Sequence, residues 1–91
     1  MALQIINAGG SDSQEIAERM HKAIAGAIPD AQIEVRPTST GHFEIRVSSN
    51  AFSGKTRVAQ HQLVYAAITD LMTGNDAPVH AVDRLDCLVP E

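Results

Sequence analysis

With 91 residues the chain has room for one domain and one modest core, not for two. Hydrophobic residues make up 44%, which excludes wholesale disorder, and a net charge of −4 sets the molecule as a whole against nucleic acid and anionic membranes. The single cysteine, Cys87, excludes an internal disulfide and with it a disulfide-stapled secreted domain.

Residues 1–10, ending in Gly9-Gly10, read as a mobile lead-in, with the domain proper expected over 11–91. The N-terminus lacks the basic start of a signal peptide, and no apolar run approaches the roughly 20 residues of a membrane span, so a soluble, cytoplasmic protein is expected. The first helix is expected to start near Ser11, where Ser11 with Gln14, or Asp12 with Glu15, fits a capping box. Ile16, Met20, Ala23, Ile24 and Ala27 recur at helical spacing and form one apolar face, and Pro29-Asp30 ends the helix.

The stretch AQIEVRP alternates, with Ile33 and Val35 on one side and Glu34 and Arg36 on the other, and Pro37 is expected to end this strand. TSTG then serves as the hairpin connection to HFEIRVSS, in which Phe43, Ile45 and Val47 share one face and His42, Glu44, Arg46 and Ser48 the other. After the loop NAFSGKTR, a second helix is expected from the N-cap Thr56 to Thr73. Its core stripe is Val64, Ile68, Leu71 and Met72, with Tyr65 beside it, and Gly74 stands where a left-handed cap belongs. Pro78 leads into the last strand, Val79 to about Leu88, in which His80 and Val82 share one face and Ala81, Asp83 and Leu85 the other. The order α-β-β-α-β predicts an α+β sandwich: a three-stranded sheet with both helices on one face and the other face open to solvent.

Charge is uneven along the chain. From Ile45 to Thr69 there is no carboxylate, and Arg46, Lys55 and Arg57 contribute +3 against −7 for the remainder. Lys55, Arg57, Gln60, His61 and Gln62, at the start of the second helix, are residue types that contact phosphates and base edges, so nucleic-acid binding is one candidate class. The GKTR turn has only the first glycine of an RNA-binding GxxG loop, and three cations on an acidic protein give weak, salt-sensitive affinity. A solvated polar helix face explains the same residues more simply. No Ser/His/Asp arrangement, P-loop, HExxH or paired-carboxylate motif stands out, so an enzyme is not expected.

On pattern alone His80 reads as a sheet-face histidine with a satisfied hydrogen bond, and His21 as a helix-surface residue. Cys87 lies seven residues beyond His80. On a straight strand that is roughly 20 Å away and on the opposite face, which separates the two as joint ligands.

Three stretches in this order, GHFEIRV, FSGKTRVAQHQLVYAAI and VHAV, together resemble the BolA family across nearly the whole chain. The resemblance implies a class II KH-like fold and a non-catalytic protein that pairs with a monothiol glutaredoxin. With that partner and glutathione it would share a [2Fe-2S] cluster, in iron sensing or in iron–sulfur maturation and trafficking. The resemblance also implies an alternative, a stress-responsive, DNA-binding transcriptional regulator, with His61 in a helix-turn-helix-like element. Carried onto this chain, His80 matches the family's VHA histidine, a cluster ligand. A second family ligand lies in the loop between the first two strands. Here RPTSTG holds no Cys or His, and His42, at the HF position beside the usual place, is the candidate. Imidazole in place of thiolate raises a cluster's potential and makes the ligand set labile near neutral pH, properties of a sensor or transfer site. The protein by itself is expected to be a monomer or a weak homodimer.

Overall fold

The computed structural model describes residues 8–91. Its elements follow the expected order: α1 (Ala8–Ala27), β1 (Gln32–Ser39), β2 (His42–Ser48), a 3-10 turn at Asn50–Phe52, α2 (Arg57–Met72) and β3 (Ala81–Leu88). None of the described helices is long and apolar enough to cross a membrane.

α1 begins at Ala8 rather than near Ser11, so the expected capping residues Ser11 and Asp12 lie inside it. Glycine weakens a helix without removing a ladder hydrogen bond as proline does, and Gly9-Gly10 is therefore compatible with the first turn. The rest of the expected lead-in lies outside the described residues. The buried stripe of α1 is Ala17, Met20 and Ile24, continued by Ile28, with Ile16 and Ala23 partly covered. Ala27, expected on this face, is exposed. The stripe passes instead to Ile28, whose amide still bonds the Ile24 carbonyl at 2.9 Å and so keeps the helical step beyond the last assigned residue.

The sheet order is β1-β2-β3, with β1 and β2 antiparallel and β2 and β3 parallel across the α2 crossover. Alternation puts Phe43, Ile45 and Val47 of β2 fully into the core, where Val64 and Ile68 of α2 and the stripe of α1 meet them. Phe52 of the 3-10 turn and Val79, just ahead of β3, belong to the same core. Pro37 does not end β1; it pairs with Phe43, and the register becomes irregular only between Pro37 and Ser39. An edge strand tolerates proline, because an amide facing outward makes no ladder bond. Ser49 is the buried polar residue of this core: its hydroxyl donates to the Pro29 carbonyl at 2.9 Å and accepts from the Ala51 amide at 3.0 Å.

α2 starts as expected, with the Thr56 hydroxyl accepting from the Ala59 amide at 3.1 Å, and Gly74 takes the left-handed conformation (φ 99°) after its end. Leu71 and Met72 are partly buried against the core, while Tyr65 lies at the exposed side of the stripe.

β3 departs most from the sequence-based expectation. It starts at Ala81, so Val79 and His80 precede the strand. Phe43 pairs with Val82 and the next residue, Glu44, with Arg84, which leaves Asp83 as an extra, bulged residue. The bulge resets the alternation: Val82, Leu85 and Cys87 all pack on the core side. An unbroken register would have set Arg84 beside Ile45 inside the core and Asp83 beside the like-charged Glu44.

The crossover fixes which end of the sheet holds what. The Val79 amide bonds the Leu71 carbonyl at 3.1 Å near the end of α2, and the Ser49 amide bonds the Leu88 carbonyl at 2.9 Å near its start. The strand starts of β2 and β3 therefore lie at one end of the molecule, and the start of α2 at the other.

Candidate functional site

The turn between β1 and β2 needs a left-handed residue, and Gly41 supplies it with φ 79°. Its carbonyl accepts from the amides of both His80 (2.8 Å) and Ala81 (3.1 Å), which pins the entry to β3 against the hairpin. The imidazole of His80 lies directly on the glycine: a Cβ at position 41 would sit 2.6 Å from Nδ1 and 2.8 Å from Cγ. His80 is thus an exposed residue held at a turn ahead of β3, not the sheet-face residue expected of a strand that starts at Val79.

His42 opens β2 opposite Ala81, the residue after His80, so the two histidines share one corner. Its Nδ1 lies 3.0 Å from Asp83 Oδ1, within hydrogen-bond distance, and the hydroxyl of Thr38 donates to Asp83 Oδ2 at 3.0 Å. The hydrogen bond from His42, and then that from Thr38, hold the Asp83 carboxyl below its ordinary range, so it is an ionised, acceptor-only group at neutral pH. Thr38, His42 and Asp83 come one from each strand. Asp83 went unnoticed as a site residue because strict alternation places it with Leu85. The signal for it is the apolar spacing of β3, Val82 to Leu85 to Cys87, in which a step of three interrupts the steps of two.

Among the described residues no group of three or more His, Cys, Asp or Glu side chains is arranged to hold a metal ion alone. Two solvent-facing imidazoles, one backed by a carboxylate, make a donor set that fits a metal shared with another molecule's ligands. Cys87 is not part of it. It lies near the far end of β3, half-buried, and its thiol is pushed up by burial and by neighbouring Asp86.

The nucleic-acid candidates gather at the opposite end, about 20 Å away by the rise of β2. Lys55 and Arg57 are exposed there, while His61 is half-buried beside a groove lined by Arg57, Gln60 and the end of β3. Gln60 is not free to read a base, since its amide donates to the carbonyls of Phe52 (3.1 Å) and Lys55 (3.2 Å) and braces the loop. Arg46 does not extend this cationic end. It lies on the open sheet face, in register with Glu34 on one side and Asp86 on the other. The next row, Arg36, Glu44 and Arg84, reverses the signs, and the Arg36–Glu44 pair closes to 2.6 Å. The open face is a neutralised grid, and the local positive charge reduces to Lys55 and Arg57.

A family model described as BolA-like protein matches residues 12–90, a span that includes Thr38, His42, His80 and Asp83. The chain belongs to the BolA family. The chain is also similar to a protein of the rpoN-murA intergenic region of Acinetobacter guillouiae, 33% identical over 66 residues, or 72% of this chain and 76% of that one. The BolA domain of SufE1 from Arabidopsis thaliana has the same fold, with a TM-score of 0.70 at 23% identity over 82% of this chain and 92% of that domain. Yeast Fra2 matches with a TM-score of 0.60 at 25% identity, covering 85% and 77% of the two chains.

Proposed function

We propose that this BolA-family protein is a non-catalytic partner of a monothiol glutaredoxin, lending His80, together with His42, to a [2Fe-2S] cluster held jointly by the two proteins and glutathione. The observation that carries the reading is the corner itself: two solvent-facing imidazoles at adjoining strand starts, with a glycine where any side chain would collide with His80. Family membership supports a protein partner, and the resemblance implies that it is a monothiol glutaredoxin.

The BolA resemblance implies the division of ligands: a glutaredoxin cysteine and a glutathione thiolate would serve one iron, leaving the other to the imidazoles. When bound, the cluster supplies transferable, redox-active iron and sulfide as cargo. This chain's residues present and hold. Gly41 gives His80 room against the turn, and its carbonyl fixes the backbone on both sides of that ligand. Imidazole is a neutral donor where thiolate is charged, so the pair of histidines leaves the shared centre less negative. Imidazole binds metal only when unprotonated, so acid competes directly for these two positions.

The test is reconstitution under anaerobic conditions with a monothiol glutaredoxin, glutathione, ferrous iron and sulfide, read by visible absorption and circular dichroism. A spectrum distinct from that of the glutaredoxin alone, lost in His80→Ala, is expected. An unchanged glutaredoxin spectrum, or a heterodimer spectrum that survives His80→Ala, would overturn the reading.

A further inference from the structure

We infer that Asp83, anchored by Thr38, is a positioning residue that fixes the His42 ring with its proton on Nδ1, so that the Nε2 lone pair is left free for a metal. The inference rests on the proposed role of His42 as a ligand and names the group that would prepare it.

The geometry comes from the bulge. The extra residue in β3 carries Asp83 out of line with Glu44 and brings its carboxylate to the corner where β1, β2 and β3 meet. An ionised carboxylate only accepts hydrogen bonds, so the 3.0 Å contact requires the proton to sit on His42 Nδ1. A neutral imidazole has one N–H. With that proton on Nδ1, Nε2 is left as the free donor atom. Thr38 makes the orientation specific: its hydroxyl occupies Oδ2 at 3.0 Å and leaves Oδ1 for the ring. A carboxylate behind a ligating histidine is a recurrent outer-shell device that sets tautomer and basicity, and its loss typically costs about 10–100-fold in metal affinity. The three residues are also exposed enough that none is required by the core.

The experiment has two arms. The first measures the ring nitrogen shifts of His42 in the apo protein, at a pH where the imidazole is neutral. Wild type should show protonated Nδ1 and unprotonated Nε2. Asp83→Ala should release this preference, and Asp83→Asn, which can donate as well as accept, should populate the form protonated on Nε2. A wild-type ring protonated on Nε2, or a tautomer unchanged in both variants, overturns the positioning role whatever the cluster does. The second arm repeats the reconstitution with Asp83→Ala and His42→Ala beside the glutaredoxin. About a 10–100-fold weaker hold on the shared cluster in Asp83→Ala is expected. If the tautomer changes as expected but His42→Ala leaves the cluster spectrum intact, the ligand role of His42 fails and the metal-directed part of the inference falls with it. Far-ultraviolet circular dichroism of each variant controls for folding, and Asp83→Asn, nearly isosteric, serves if Asp83→Ala does not fold.

Discussion

Replacing Gly41 with alanine separates two demands that meet at one backbone position. At φ 79° an L-residue costs about 1–2 kcal/mol, because its Cβ crowds the following carbonyl. The added Cβ would also lie 2.6 Å from His80 Nδ1, well inside contact distance, so the ring must swing away. His80 is exposed and can move at low cost, so the backbone term sets the stability loss, and the displaced ring sets the functional one. Alanine narrows the unfolded ensemble and offsets part of the loss, by about 0.4–1 kcal/mol. The net expectation is about 1 kcal/mol, or a melting temperature about 4–8 °C lower for a domain of this size. Thermal denaturation followed by circular dichroism measures the first effect, and the reconstituted heterodimer spectrum the second. Gly41→Ala combined with His80→Ala should melt like Gly41→Ala alone. A Gly41→Ala protein with unchanged melting temperature and a full heterodimer spectrum would refute the reasoning on both counts.

Ser49→Ala removes a fully buried hydroxyl that serves two backbone groups, and leaving those partners unpaired should cost about 1–3 kcal/mol in urea denaturation; a loss within error would mean water replaces the hydroxyl. Cys87 should react with iodoacetamide more slowly in the folded protein than in urea at the same pH, since burial disfavours its thiolate. Its folded value is raised above the ordinary 9.0, so its contribution to stability is present below that pH and lost as pH rises past the folded value. Cys87→Ala should therefore remove part of the alkaline loss of stability, and identical alkaline profiles would count against the assignment.

Much of the fold could be read from local pattern because the residues concerned answer to one neighbour at a time. The alternation of Phe43, Ile45 and Val47, the Thr56 cap and the Gly74 stop all depend on the chain within a few residues of themselves. What escaped was decided between strands. Pro37 stays in β1 because β1 is an edge, a property of sheet order and not of the residue. Asp83 reaches His42 because β3 slips by one residue against β2, and the faces assigned by strict alternation fail from that point on. His80 was identified through a family motif, yet its setting against Gly41 depends on a contact between the hairpin and the entry to β3. Gln60 has the residue type of a base reader and is occupied in bracing the preceding loop. Arg46 counts as a basic residue along the chain and is neutralised across it.

The parallel pairing of β2 and β3 makes the molecule bipolar. Because the connecting helix must return the full length of the sheet, the histidines and the cationic helix start face away from each other. A protein capping the histidine pole leaves the other pole in open water. Lys55 and Arg57 thus stay accessible while the other end is covered, and two molecules bound at the two ends need not compete for the same surface.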